Sequence, residues 1–369
     1  MKRLRETLDD IANEAPLVDL ADLADLAVAG HRRRRRTTLT LAALAAVAVL
    51  GAATAAVALP GSRGGDTATP RSVEAVPDLP DGRTGALSHA YQTQCKVDAE
   101  RLLPPDCSAI EWRVVTRTGT TYRVPQALVR NTKDRPVPVA ISRDGRMFAY
   151  YSRQAQAHVV RDLVSGSEVT SSVTVKEERI GVGSMLVLSD DGRYVIFDPR
   201  EGSKDPGLLI DMRTGKTVSV PGKFEAISIK DGVAALVRYV KTDLWLMPVT
   251  GGGTPVRFDG AFIMFSELSP DGRTVAAFEW RKDGRHTFTL LDAKTGRTLR
   301  KVAIRGLPKD GGVSNTALWR SGSEVTIVYW DRKSPGTYAV DVNTGQARQL
   351  ARYPGNFAHL TLPGVVNNQ

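Results

Sequence analysis

The sequence contains little cysteine. Only Cys95 and Cys107 occur among its 369 residues. Neither belongs to a Cys-x-x-Cys pair or lies near a pair of histidines, which argues against a structural zinc site. In an oxidising compartment the two cysteines predict one disulfide, and two buried thiols are the alternative. Such a bond would close a short loop and stabilise the fold by about 3 kcal/mol.

The common signatures of catalysis and cofactor binding are also missing. There is no P-loop and no His-Glu-x-x-His motif, no Asp-x-Asp-x-Asp-Gly calcium loop, and no Gly-x-Ser-x-Gly elbow, because GVGSM around Ser184 has the wrong frame. Four histidines are scattered along the chain after residue 85: His89, His158, His286 and His359. We expect structural roles for His158 and His359, which fall in predicted strands. The sequence therefore predicts no catalytic, cofactor-binding or metal-binding residue and no cofactor.

One stretch, residues 37–59, lacks charge altogether and consists mostly of Ala, Val and Leu. As a helix it would be about 34 Å long, enough to cross a hydrocarbon core of about 30 Å. Five consecutive arginines at positions 32–36 precede it and Pro60 follows it. The positive-inside rule then predicts a single-pass helix through the lipid bilayer, with residues 1–36 cytoplasmic and the rest extracytoplasmic. The alternatives are a nucleic-acid-binding arginine patch and a cleaved signal peptide, but 36 residues before the apolar core are unusual for a signal peptide.

Residues 1–30 are acidic and rich in Leu and Ala. Leu20, Leu23 and Leu26 recur at every third position, which favours an amphipathic juxtamembrane helix. This segment is expected either to bind a cytoplasmic partner, such as a sigma factor, or to be a solvated helix without a partner. Residues 60–85 are rich in Pro, Gly, Ser and Thr, which predicts a flexible extracytoplasmic linker.

Beyond the linker, two turn motifs alternate along the chain. The first, exemplified by LSPDGRTVAAF, has its glycine at positions 145, 192, 232, 272 and 322. The second, exemplified by LDAKTGRTL, has its glycine at positions 166, 215, 251, 296 and 345. Four of these second motifs carry an aspartate four residues before the glycine, and Met247 is the exception. Each cycle thus contains two hairpins, or four strands, which is the content of one blade of a β-propeller.

Several segments resemble one family of propellers. SPDGRTVAAF (269–278) and SDDGRYVIF (189–197) are similar to the Ser-Pro-Asp-Gly-Lys/Arg turn of TolB-like, WD40-related blades, and TDLWLMPVTGGGTPVRF (242–258) is similar to another conserved stretch of those blades. The resemblance covers roughly residues 110–350. It departs from the family at Ile229, Pro248 and Ser321. It implies blade architecture and leaves the activity open, because many unrelated functions use such blades.

Five blades are complete in the sequence, and Gly119 marks a further second turn. We predict a modified first blade that carries the Cys95–Cys107 loop and takes its missing inner strand from the tail at 353–364. The prediction is an all-β fold, a six-bladed propeller over residues 86–369, with seven blades as the alternative. SPDGRTVAAF itself is predicted to form the first hairpin of the fifth blade.

The charge is mildly basic, with a net value of +10, of which +9 lies after residue 36. We do not expect nucleic acid as a partner. Trp280 is the best candidate for an aromatic group at a loop rim, although a packing role is the ordinary alternative.

The function predicted is a non-catalytic binding platform in the cell envelope with a protein partner, acting as a sensor or regulator. The alternative is a propeller hydrolase or lyase acting on cell-wall glycans or lactones.

Overall fold

The computed structural model describes residues 75–96, 106–199, 205–239, 242–258, 260–279, 286–331, 334–355 and 357–366. The predicted cytoplasmic segment, transmembrane helix and first part of the linker lie outside these residues. Across the described ranges, no helix is long and apolar enough to cross a membrane. The only helix there is a short 3-10 helix, Glu177–Arg179.

Six four-stranded antiparallel sheets surround a central channel. We number them as blades in chain order and give their strands from the channel outward. Blade 1 contains β24 (His359–Thr361), β1 (Leu87–Gln92), β2 (Trp112–Thr116) and β3 (Thr121–Arg123). Blade 2 contains β4 (Ala140–Ile141), β5 (Met147–Ser152), β6 (Ala157–Asp162) and β7 (Glu168–Thr174). Blade 3 contains β8 (Met185–Leu188), β9 (Tyr194–Asp198), β10 (Gly207–Asp211) and β11 (Thr217–Val220).

The other three blades follow the same order. Blade 4 contains β12 (Glu225–Lys230), β13 (Val233–Arg238), β14 (Asp243–Pro248) and β15 (Val256–Arg257). Blade 5 contains β16 (Phe262–Phe265), β17 (Thr274–Glu279), β18 (Thr287–Asp292) and β19 (Thr298–Ala303). Blade 6 contains β20 (Gly311–Trp319), β21 (Glu324–Asp331), β22 (Pro335–Asp341) and β23 (Ala347–Arg352). The prediction of an all-β, six-bladed propeller is confirmed, and seven blades are excluded for the described chain.

Blade 1 is closed by the two ends of the propeller, as predicted. Strand β24, near the end of the chain, pairs with β1, and Tyr91 lies opposite Leu360. The tail therefore supplies the inner strand that the first repeat lacks. This closure removes the exposed sheet edges that an open ring would have.

In blades 2, 3 and 5 the first turn is held by a serine and an aspartate. In blade 2, Ser142 Oγ donates to Asp144 Oδ1 at 2.6 Å and accepts the Met147 N–H at 2.8 Å. Gly145 has φ of +75°, in the left-handed region that favours glycine. Blade 5 repeats this arrangement at SPDG, which confirms that SPDGRTVAAF forms the hairpin between β16 and β17. In blade 6 a serine replaces the aspartate, and Gly322 is not in the left-handed region.

The second turn of a cycle is capped by its aspartate. Asp292 Oδ1 accepts the N–H groups of Lys294 and Thr295 at 2.9 and 3.0 Å. The same carboxylate accepts a hydrogen bond from Arg273 Nε at 2.7 Å, so the two turns of blade 5 are joined by an ion pair. Equivalent pairs join the turns of blade 2, Arg146 with Asp162, and of blade 3, Arg193 with Asp211.

Residues 77–85, which fall within the predicted linker, pack against blades 1 and 2. The Leu79 N–H donates to Arg123 O at 2.7 Å on the outer edge of blade 1. The buried guanidinium of Arg161 donates to Pro80 O and Gly82 O. The ring therefore begins before residue 86, because the backbone groups of this segment already bond to the blades.

Candidate functional site

The central channel is nearly filled. It holds a cavity of about 20 Å³, which is room for about one water molecule and far below the several hundred Å³ of a typical small-molecule site. The cavity is lined by the inner strands and by the tail of the chain: Ala140, Ile141, Arg143, Leu186, Val187, Leu188, Asp190, Ser228, Ile229, Glu267, Leu318, Gly364, Val365 and Val366.

The tail occupies the channel after it leaves β24. The Gly364 N–H donates to Ile141 O at 2.8 Å, which attaches the tail to the inner strand of blade 2. Val366 packs in the cluster that contains Val187 and Ile229, so it reaches the inner strands of blades 3 and 4. Val365 packs with the apolar residues of β24 and blade 6. The end of the described chain thus lines the cavity at the centre of the ring.

An ion pair crosses the mouth of the channel. Arg143 follows the inner strand of blade 2, and Glu267 follows the inner strand of blade 5, which lies opposite in a ring of six. The Arg143 Nη2 group donates to Glu267 Oε2. The Trp319 N–H of blade 6 donates to Glu267 Oε1 at 2.9 Å. One carboxylate therefore holds three blades together.

Glu267 is only 1% exposed, and this burial dominates its protonation. Burial raises the pKa of Glu267 to about 7, while the nearby Arg143 and Lys230 act in the opposite direction. Asp190 of blade 3 accepts the Arg143 N–H at 3.3 Å and is itself exposed. Cations and carboxylates from four consecutive blades thus alternate around this mouth, in the order Arg143, Asp190, Lys230 and Glu267.

Glu267 was not singled out by the sequence analysis, although the repeats contain a signal for it. It stands five residues before the turn glycine of blade 5. The same position in blades 2, 3, 4 and 6 is occupied by Ala140, Val187, Ile227 and Ala317, all buried and apolar. A carboxylate at a repeat position that is otherwise apolar points to a role that the blade alone does not require.

The predicted disulfide is present. Cys95 and Cys107 are bonded, and Lys96 pairs with Asp106 in an antiparallel bridge beside them. The bond lies in the connection between β1 and β2 of blade 1, as predicted.

The structure does not bring the histidines together. His158 is buried in β6 against Phe197, and burial lowers its pKa to about 4. His359 lies in β24, and His286 contacts Tyr329 of blade 6. No group of three or more metal-ligating side chains occurs within the residues that the structure describes.

The tryptophans that can be placed serve packing. Trp319 is buried, and Trp245 stacks edge-on against Phe224 at 5.5 Å. Trp280, the candidate for a loop-rim contact, lies outside the described residues.

The strand order defines the class of protein, a six-bladed β-propeller. No protein-family profile matches the chain, and no curated protein is similar to it in sequence. Among solved structures, the chain is similar to TolB from Acinetobacter baumannii, with 16% identity, a TM-score of 0.44, and coverage of 75% of this chain and 66% of TolB. It is also similar to the nidogen/laminin complex, with 11% identity, a TM-score of 0.42, and coverage of 74% and 97%. The chain is also similar to the dihydro-heme d1 dehydrogenase NirN, with 15% identity, a TM-score of 0.38, and coverage of 78% of this chain and 59% of NirN. The chain thus spans less than two thirds of the length of NirN and of TolB.

Proposed function

We propose that the propeller is a non-catalytic binding platform. The observation that carries this proposal is the closed channel, whose mouth is spanned by Arg143 and Glu267 and whose interior is filled by Val365 and Val366. Because the space at the centre admits about one water molecule, a substrate has no room there. The outer surfaces of the blades remain available for binding.

The platform is placed in the cell envelope as part of the same proposal. Residues 37–59 span the bilayer, residues 1–36 lie in the cytoplasm, and the propeller lies outside. The Cys95–Cys107 disulfide supports this arrangement, because such bonds persist in oxidising compartments. In this layout the propeller binds a protein of the envelope, and residues 1–36 pass the signal to a cytoplasmic partner such as a sigma factor.

The platform is tested by photo-crosslinking the full-length protein in intact cells. A photoreactive residue is placed at one exposed position on the outer strand of each blade. Adducts with the same envelope protein from neighbouring positions support the platform. If none of the six positions gives an adduct, the platform proposal is contradicted.

The membrane layout has its own test. Protease added outside intact spheroplasts is expected to degrade the propeller and to protect an epitope on residues 1–36. To test the cytoplasmic partner, residues 1–36 are used as bait beside a control peptide of the same composition in scrambled order. Equal recovery of a sigma factor by both peptides would remove that part of the proposal.

The enzyme alternative rests on one observation, the carboxyl of Glu267, whose pKa is raised to about 7 by burial. A carboxyl with such a pKa is suited to general acid–base work near neutral pH. The full-length protein and its Glu267→Gln variant are therefore incubated with cell-wall glycan fragments and with lactones. If the wild type turns over one of these substrates and the variant does not, the protein is an enzyme and the platform proposal is wrong.

A further inference from the structure

The excess positive charge of the propeller is concentrated on one blade. Residues 293–309 of blade 5 contain six basic side chains and no acidic one: Lys294, Arg297, Arg300, Lys301, Arg305 and Lys309. The windows at the same distance from the second turn glycine in the other five blades have net charges between −1 and +3. We call residues 293–309 the basic strip.

The basic strip follows the outermost strand of blade 5. Lys294 and Arg297 lie in the turn before β19, Arg300 and Lys301 lie on β19, and the other two follow it. All six residues are exposed. Strand β19 pairs with β18, and no other strand of the described chain pairs with its outer edge. Beyond β19 the edge is covered, because Arg305 forms a backbone bridge to Gln346 of blade 6. The strip therefore combines solvent-facing cations with an open strand edge.

Few of these cations are neutralised. Lys301 Nζ lies 2.7 Å from Glu279, and Arg300 donates to Val342 O and Asn343 Oδ1 of blade 6. No carboxylate of the described residues lies within ion-pair distance of the remaining four. Charged side chains on an edge strand also prevent edge-to-edge aggregation, but the other blades achieve this with far less charge.

An apolar side chain stands in the middle of the strip. The pairing of β18 with β19 shifts between Leu290 and Leu291, and Leu299 is the unpaired residue of this bulge. Its exposed fraction of 52% is the largest among the big apolar side chains that the structure describes. Leu299 offers a partner an apolar contact surrounded by cations.

We propose that the basic strip binds an acidic, extended polypeptide segment of the partner protein. This inference rests on the proposed platform function and identifies its surface. Complementary charge attracts and orients the segment, and the open edge of β19 and Leu299 provide contacts that a polypeptide makes with its backbone and apolar side chains. A phosphate polymer would use the cations alone.

The test measures binding of a fluorescent Glu-rich peptide with a central leucine to the full-length protein in detergent, by anisotropy at about 50 and about 150 mM salt. The triple variant K294E/R297E/R305E reverses three cations that have no carboxylate partner. The matched control R117E/R213E/K216E reverses three exposed cations on the turns of blades 1 and 3. We expect the strip variant to weaken binding about tenfold or more and the control about twofold or less. Equal weakening by both would contradict the proposal.

Two further arms identify the partner class. Leu299→Ser is expected to weaken peptide binding about threefold and to leave the binding of long-chain polyphosphate unchanged. Tighter binding of polyphosphate than of the peptide, with no effect of Leu299→Ser on either, would overturn the polypeptide assignment. In cells, crosslinked adducts that persist in the strip variant would show that the platform stands but uses another surface. A lack of adducts from wild type, with peptide binding retained in vitro, would count against the platform alone.

Discussion

At the scale of single residues, Glu267 has the most unusual environment of the ionisable groups at the channel. In an unfolded chain a glutamate has a pKa near 4.3, whereas burial raises the pKa of Glu267 to about 7 in the folded protein. Between these values the folded chain binds more protons than the unfolded chain. The free energy of unfolding therefore falls as pH rises through this window. Above the window the full loss of stability has taken place.

We predict that Glu267→Gln reduces this pH dependence. The amide keeps an oxygen for the Trp319 N–H but does not ionise, so the variant should avoid a loss of up to about 3 kcal/mol between pH 4 and pH 8. The measurement is urea unfolding across this pH range. His89 and His158, whose pKa values burial lowers to about 4, act in the opposite direction, so the difference from wild type is the quantity to compare. Glu178→Gln, the same substitution at an exposed glutamate of the 3-10 helix, is the control, and equal profiles for wild type and Glu267→Gln would contradict the prediction.

Two turn glycines differ in what surrounds them. Gly272 and Gly296 have φ of +68° and +72°, so alanine at either position costs about 1–2 kcal/mol in backbone strain. A Cβ at Gly272 would meet nothing within 4 Å, whereas a Cβ at Gly296 would lie 2.0 Å from Arg257 O of blade 4. We predict that Gly296→Ala lowers the free energy of unfolding by about 1–3 kcal/mol more than Gly272→Ala. Thermal and urea unfolding of the two variants decide this, and equal losses would show that blades 4 and 5 separate at little cost.

At the scale of elements, the ion pairs between the two turns of a blade make those turns sensitive to acid. The Arg273 guanidinium lowers the pKa of Asp292 to about 2, with help from the N–H groups of Thr295 and Lys294. A carboxyl whose folded-state pKa is depressed stabilises the fold above its unfolded pKa, near 4. That contribution is lost as pH falls towards 2.

We predict that Asp292→Asn destabilises the protein at pH 7 and that the difference from wild type shrinks as pH falls from about 4 to about 2. Asp341→Asn in blade 6 is the matched control. Asp341 accepts the same two backbone N–H groups, but the residue after that blade's first turn glycine is Ser323. Its variant should lose less stability at pH 7. Equal losses in both variants would assign the effect to the turn caps rather than to the ion pair.

The elements were predictable from the sequence because their causes are local. A turn glycine and a nearby aspartate are both visible in SPDG and in DAKTG, and the alternation of the two motifs predicted the number of blades and the order of the hairpins. The contact of Arg143 with Glu267 was not predictable in the same way, since 124 residues separate the two and the pair forms only when the ring closes. The Arg273–Asp292 pair was within reach, because both residues occupy fixed positions in the two motifs. The cluster of basic residues in the strip was also visible in the sequence. Its role as a binding surface could be inferred only once β19 was known to be an outer strand.

At the scale of the whole molecule, the last described residues have two roles. His359–Thr361 complete blade 1, and residues 364–366 fill the channel. The same segment thus completes blade 1 and contacts the inner strands of blades 2, 3 and 4. Closure of the ring and closure of the channel are therefore coupled through a single stretch of backbone.

We predict that these two roles can be separated. Deletion of residues 359–369 removes β24, leaves an unpaired edge on β1 and should abolish the cooperative unfolding transition or cause aggregation. The double variant V365S/V366S keeps β24 and removes only the apolar filling, so it should fold, with a loss of about 2–4 kcal/mol. Deletion of residues 367–369 is the control and should behave as wild type.

Hydrogen exchange then distinguishes the two roles. The double variant should lose protection in the inner strands β4, β8 and β12, while the backbone amides that pair β1 with β24 stay protected. Loss of protection across blade 1 in the double variant would mean that the ring stays closed only when the channel is filled.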